Sequence, residues 1–235
     1  MENAIASFKH VPENLRKVLA LISRAAERSG RVASEVKLVA VSKTFPLAAL
    51  EAAYAAGQRS FGENRVQELA DKFENAPKDV EWHLIGHLQT NKASKAAKLA
   101  DVIHSVDSPR VLEKIAGATE PGRERTILLE VNISGESTKY GVSPDATEEL
   151  AERALANRNV KLGGLMTMAP FGISERELRG VFSSLRVLRD SLEVKLGITL
   201  PELSMGMSSD FEQAIQEGAT MVRVGTAIFG TRTPR

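Results

Sequence analysis

Cysteine is absent from all 235 residues. That excludes disulfides, thiolate metal sites and a cysteine nucleophile, and it accords with a reducing, cytoplasmic home. Aromatic side chains are scarce: Trp82, Tyr54, Tyr140 and eight phenylalanines are too few for a base-stacking surface. Charge of either sign is not in excess. With 31 basic and 30 acidic residues the formal net charge is +1, so no overall field draws the chain to nucleic acid or an anionic membrane. No apolar stretch is long enough to span a bilayer, and residues 1–10 lack the apolar run of a signal peptide. Linkers and low-complexity tracts are missing too, so residues 1–235 read as one domain.

What is present is alternation. The chain opens with a helix in which Pro12 suits the first turn and Leu15, Val18, Leu19 and Ile22 form an apolar stripe, with Gly30 able to close it. Short Val-, Ile- and Leu-rich runs follow at 36–43, 60–64, 81–86, 102–106, 125–132, 161–168, 203–208 and 221–225, as expected of parallel strands covered on both faces. Helix patterns separate them. Ser108-Pro109 and Ser143-Pro144 place a cap residue before a first-turn proline, and Ser174 with Glu177 and Ser209 with Glu212 read as capping boxes. Leu178, Val181, Phe182, Leu185, Leu188 and Leu192 give one helix a sheet-facing side. Residues 117–125 form a short loop. Eight strands alternating with helices predict a single (β/α)8 TIM-type barrel with an extra N-terminal helix, an α/β fold. The alternative is a doubly wound open sheet, whose nucleotide-binding version is disfavoured by the lack of a Gly-rich turn after the first strand.

Barrel enzymes carry their chemistry where strands end, so the polar residues at those ends matter most: Lys43, Asn64, His83, Asn132, Thr167, Ser208 and Arg223. Val39, Val41 and Lys43 share one strand face. If the valines fill the barrel, Lys43 points inward at its top, and loss of hydration lowers its pKa toward the neutral amine a Schiff base requires. The competing reading is a surface lysine past a strand end. Arg223 alternates with Val222 and Val224 and shares the interior; its bland alternative is an ion pair with a carboxylate such as Glu130. Gly225-Thr226 and Met207-Ser208-Ser209 end the last two strands before helical segments, where barrels frequently bind phosphate. An amine, an arginine and an anion cup together fit a flat aldehyde with a phosphate arm, and pyridoxal phosphate is the candidate, with Arg223 directed at the pyridine nitrogen.

The segments AVSKTFP (40–46), FGENRVQE (61–68), WHLIGHLQTNK (82–92), HSVDS (104–108), EVNISGESTKYGV (130–142), GLMTMAP (164–170), LSMGMSSDFEQAI (203–215) and VRVGTAIFG (222–230) resemble the pyridoxal phosphate homeostasis protein family, itself similar to the N-terminal barrel of alanine racemase. The resemblance implies that Lys43 is the Schiff-base lysine and that Arg223 faces the pyridine nitrogen. It further implies that Ser208, Gly225 and Thr226 hold the phosphate, that Asn64 lines the ring site, and that His83 and Met168 are pocket wall. Tyr140 departs from the pattern, standing where a small residue is expected and able to cover or narrow the mouth. His87 and His104 lack partners at metal-ligand spacing and read as structural histidines. The lysines in 91–98 read as a solvated face, and Met166, Met168, Met205 and Met207 as core filler.

Three functions follow from these residues. The chain handles pyridoxal phosphate without turnover of its own, buffering it or delivering it to transient apo-enzyme partners; or it is an amino-acid racemase; or Lys43 acts directly on a sugar phosphate as in an aldolase. Alanine racemases add a C-terminal domain that supplies a tyrosine base, whereas this sequence stops at Arg235, which favours the handler. An open barrel mouth is compatible with a monomer or a weak dimer.

Overall fold

Helix α1 (Val11–Arg28) precedes the first strand, and Val11, Leu15, Val18, Ile22, Ala25 and Ala26 form its buried stripe. Leu19, expected in that stripe, is 44% exposed, because it follows Val18 directly and points a hundred degrees away around the helix. The computed structural model describes residues 7–120, 122 and 124–231. The termini 1–6 and 232–235 and residues 121 and 123 of the 117–125 loop lie outside the described residues.

The barrel then winds in chain order. β1 (Lys37–Val41) is followed by α2 (Leu47–Ala55), β2 (Ser60–Glu63) by α3 (Val66–Phe73), β3 (Glu81–Leu84) by α4 (Thr90–Leu99), and β4 (Val102–Val106) by α5 (Pro109–Ala118). The second half repeats the plan with β5 (Arg125–Glu130), α6 (Thr147–Leu155), β6 (Val160–Met166), α7 (Glu175–Leu196), β7 (Glu202–Ser204), α8 (Phe211–Gln216), β8 (Met221–Val224) and α9 (Thr226–Phe229). All neighbours pair in parallel, and β8 closes on β1 with Leu38 beside Val222 and Val39 beside Arg223. This is a closed (β/α)8 barrel. Among the described residues no helix is long and apolar enough to cross a membrane.

Strand alternation divides the side chains between two layers. Leu38, Ala40, Phe61, Trp82, Leu84, Ile103 and Ile127 face outward and pack under the helices. Val102, Leu128, Met166 and Met221 meet inside the barrel with Met168 against them. Val39 and Val41 belong to the inward set, as the sequence parity requires.

The observed strands stop one to four residues short of most expected ends. Lys43, Asn64, Gly86, Asn132, Ser208 and Gly225 therefore stand in the loops just beyond the ladder. Ser174 and Glu177 form the capping box expected, with Ser174 Oγ accepting from the Glu177 N–H. Ser209 and Glu212 do not, because Asp210 is the cap residue of α8 and its carboxylate accepts from the Met207 N–H. Ser143-Pro144 opens a short 3-10 turn, Pro144–Ala146, rather than α6 itself.

Candidate functional site

The C-terminal mouth of the barrel holds a cavity of about 690 Å³. Lys43, Asn64, Ser208, Arg223, Gly225 and Thr226 all line it, so residues up to 183 positions apart in sequence share one space. Val41, Phe45, Ile85 and Met168 supply apolar wall.

Lys43 is delivered by a buried polar tie one residue deeper. The Ser42 hydroxyl donates to Glu63 Oε1 at 2.6 Å, and Lys72 Nζ of α3 donates to the same oxygen at 2.5 Å and to the Ser42 carbonyl at 2.8 Å. Burial pushes the Glu63 carboxyl up while the Lys72 ammonium opposes it. The residues that follow, Lys43 and Asn64, project into the cavity, where Lys43 Nζ lies 3.3 Å from Asn64 Oδ1. Thr44 is held at φ 69°, a left-handed conformation costly for a β-branched residue, with its N–H donating to Glu68 Oε2 at 2.9 Å. Strain of this kind accumulates where a side chain must be aimed.

Arg223 is fully enclosed at the cavity floor. Its Nη1 donates to Ser204 Oγ at 2.6 Å and its Nη2 to the Thr167 carbonyl at 3.0 Å. The ion pair with Glu130 anticipated as the bland alternative is not its hydrogen-bonded partnership. Burial brings Arg223 down to about 10, with the charges of Glu130 and Asp210 opposing. The polar chain continues downward: His104 Nδ1 lies 2.8 Å from Ser204 Oγ, and His104 Nε2 lies 2.9 Å from His83 Nδ1. His83 Nε2 then comes within 3.1 Å of Glu81 Oε2, and Glu81 is held by Lys37 and Ser60. Burial and the neighbouring cations keep His104 well below the usual imidazole range, so it is neutral. Hydrogen bonding and charge from His83 hold Glu81 far below the usual carboxylate range.

His83, expected as pocket wall, is therefore not at the mouth; it lies one layer beneath, inside the barrel. Thr167 supports Arg223 through its carbonyl, and Asn132 shapes its own loop by receiving the Gly135 N–H. Met207 lines the cavity rather than filling core, Met168 both lines it and packs on the inner barrel cluster, and Met166 and Met205 are buried filler as expected. His87 is the residue that sequence reasoning misassigned. It lines the mouth and stacks on Tyr140 with ring centroids 3.6 Å apart and planes 9° from parallel. No local spacing announces it, because its neighbours come from other strand ends. Tyr140 thus forms one wall of the mouth, and Phe171 stands fully exposed beside it.

On the far side, Ser208 Oγ receives the Gly225 N–H at 3.2 Å and the Ala227 N–H at 3.5 Å. Gly225 is close-packed, since a Cβ there would stand 3.1 Å from the Val41 carbonyl oxygen. Backbone amides converging on one hydroxyl form a cup suited to an anionic oxygen. The set of donors fits pyridoxal phosphate: an amine on one side, a buried guanidinium at the floor, an amide cup on the other side, and flat apolar walls between.

Residues 15–233 match the family described as "Alanine racemase, N-terminal domain". A protein of Aquifex aeolicus named "Pyridoxal phosphate homeostasis protein" is 45% identical over 222 residues, covering 94% of this chain and 97% of that one. The solved structure of PipY from Synechococcus elongatus with pyridoxal phosphate bound superposes with a TM-score of 0.78 at 40% identity, covering 89% of this chain and 100% of that chain. Alanine racemase of Clostridium difficile shares the fold alone, with a TM-score of 0.75 at 16% identity over 94% of this chain and 58% of that chain.

Proposed function

The chain belongs to the pyridoxal phosphate homeostasis protein family, and we propose that it binds pyridoxal 5'-phosphate in the barrel mouth and holds it on Lys43 for exchange with other proteins. The observation that carries this reading is the convergence of Lys43, Asn64, Ser208, Arg223, Gly225 and Thr226 on one cavity.

Each residue has a role in the reading. Lys43 presents the amine, with Asn64 Oδ1 orienting it. Ser208, Gly225 and Thr226 receive the phosphate oxygens through hydroxyl and backbone N–H groups. Arg223 would serve as a fixed donor toward the ring nitrogen; it has no lone pair to offer, so it would leave that nitrogen unprotonated. When bound, the cofactor contributes an aldehyde that condenses with a lysine amine and releases water. The wall residues Met168, Ile85 and Phe45 would give the bound cofactor an apolar surround.

Holding for exchange, rather than racemisation, is supported by the mouth. Tyr140 is 54% exposed and Phe171 wholly so, which leaves the outer side of the cavity in contact with water. Carbanion chemistry is favoured by exclusion of water, and exchange is not. In this reading the partners are apo-enzymes of the cytoplasm that take the cofactor transiently.

The test is spectroscopic. The protein loaded with pyridoxal phosphate is expected to show a visible absorption band that borohydride abolishes, with the reduced pyridoxyl group mapping to Lys43, and Lys43→Ala loses the band. A pyridoxyl group on any other lysine, or an unchanged band in Lys43→Ala, overturns the assignment. Transfer to an apo-enzyme, measured beside turnover of a panel of amino acids, separates holding from catalysis: robust stereochemical turnover that disappears in Lys43→Ala refutes the exchange reading.

A further inference from the structure

Three consecutive strand ends bring an imidazole and two carboxylates together beside the cavity. His87 follows β3, Asp107 follows β4 directly, and Glu130 is the last residue of β5. One ligand atom from each lies within 4.8 Å of the other two. His87 Nδ1 is 3.4 Å from Asp107 Oδ2. Glu130 is 2% exposed, and its Oε2 is buried with no hydrogen-bond partner.

We propose that His87, Asp107 and Glu130 form a binding site for one first-row divalent cation, with Zn²⁺ as the reference ion. This inference goes beyond the cofactor reading and does not rest on it.

Geometry supports it first. Ligands about 2.1 Å from a tetrahedral centre stand roughly 3.4 Å from each other, which is the His87–Asp107 separation. A Glu130 carboxylate oxygen lies within 4.8 Å of both of these ligand atoms. Preorganisation supports it next. Glu130 is held in the barrel ladder beside Met166, Asp107 follows the last residue of β4 directly, and the stack on Tyr140 fixes the plane of the His87 ring. The chain entering His87 has no slack, because a Cβ on Gly86 would stand 2.4 Å from the Asn64 carbonyl oxygen.

Charge supports it third. A carboxylate this deep requires a positive partner, and the nearby Arg223 commits its donors to Ser204 and Thr167 instead. A bound cation would satisfy Glu130 Oε2 and Asp107 together. The chemistry of the set selects the ion: one imidazole nitrogen and two carboxylate oxygens suit Zn²⁺ or Mn²⁺, whereas Ca²⁺ and Mg²⁺ prefer oxygen ligands alone. Three protein ligands leave a coordination position open. His87 lies on the cavity lining, so a water or an oxygen of a small molecule in the mouth could take that position.

The experiment uses the untagged full chain, stripped with a chelator and then titrated with ZnCl₂ by calorimetry, with and without added pyridoxal phosphate. Co²⁺ serves as a second probe through its visible ligand-field bands, which report nitrogen and oxygen ligation. One equivalent of Zn²⁺ is expected without the cofactor present, and each of His87→Ala, Asp107→Asn and Glu130→Gln is expected to weaken it at least about tenfold. The two isosteric variants, checked by circular dichroism, guard against loss of fold. Failure of the wild-type chain to take up stoichiometric Zn²⁺, or equal affinity in all three variants, overturns the proposal. Borohydride trapping on Lys43 in the same preparations reads the cofactor site separately, so loss of one result leaves the other standing.

Discussion

Arg223 and Ser204 are joined inside the barrel by a 2.6 Å hydrogen bond, and that bond is the top of a polar chain reaching through the core to Glu81. Arginine can only donate, so Ser204 Oγ accepts from it and is free to donate its own proton to His104 Nδ1. His104 is neutral, its Nε2 lies 2.9 Å from His83 Nδ1, and the far nitrogen of His83 is 3.1 Å from the Glu81 carboxylate. The cation at the cavity floor and the anion at the opposite end of the barrel are the two ends of one dipolar chain.

Removing the hydroxyl breaks the chain at its most enclosed point. Ser204→Ala leaves a buried guanidinium donor and a buried imidazole nitrogen without partners, each costing about 1–3 kcal/mol. Urea denaturation is expected to show a loss of roughly 2–4 kcal/mol. Combined with His104→Ala, the loss should fall short of the sum by about 1 kcal/mol or more, because the two residues share one network. Strict additivity would dissolve the chain into independent contacts.

Much of this architecture is legible in the residues. The eight apolar runs, the inward parity of Val39, Val41 and Lys43, and the Ser208 and Gly225-Thr226 turns need only local pattern, and the barrel assembles them as that pattern demands. What local pattern does not carry is pairing across the barrel. His83 and His104 look like two isolated histidines; their contact exists because β3 and β4 are neighbours with inward faces aligned. His87 has no partner within its own segment, and Asp107 and Glu130 approach it only once three strands are side by side. Strand length fails for a related reason: a ladder ends where its neighbour ends, so β7 keeps three residues although its apolar run continues.

Lys72 and Glu63 form the second buried pair that reaches the site. Lys72 is 7% exposed and Glu63 is fully enclosed, so neither has water to fall back on. Replacing the lysine strands the carboxylate, and Lys72→Met is expected to cost about 3–5 kcal/mol at neutral pH. Adding Glu63→Gln should restore part of that loss, since a neutral amide removes the stranded charge. Thermal unfolding of the wild type, of Lys72→Met and of the double variant reads both terms. A Lys72→Met protein as stable as the wild type would show that this pair does not hold β1 to β2.

Thr44 turns the chain immediately after Lys43 in a conformation that a β-branched residue adopts at a cost of about 1–2 kcal/mol. Its side chain is exposed, so Thr44→Gly removes strain without opening a cavity. The greater freedom of glycine when unfolded offsets part of the gain. A net stabilisation of roughly 0.5–1 kcal/mol is expected, together with weaker retention of pyridoxal phosphate if the strained turn aims Lys43. Melting temperature and cofactor dissociation rate measure the two effects independently. Destabilisation of the variant would mean the left-handed turn carries no strain to release.

Glu130 gives the protein a pH dependence of known sign. Burial first, and the Asp107 charge second, push its carboxyl up to about 7, with Arg223 opposing them. An unfolded glutamate titrates near 4.5, so between that value and 7 the folded state holds the extra proton. Stability from this group therefore declines as pH rises through that window, and the whole cost of about 3 kcal/mol stands above it. Glu130→Gln carries no such charge. With a chelator present, its stability relative to the wild type is expected to rise by roughly 2–3 kcal/mol between pH 5 and pH 8 in urea denaturation. A difference that stays flat across that range would show that Glu130 ionises in the fold as easily as in water. Repeating the pH 8 measurement with Zn²⁺ in place of the chelator should reverse the order, because a cation stabilises the ionised wild-type carboxylate and gains nothing from the amide.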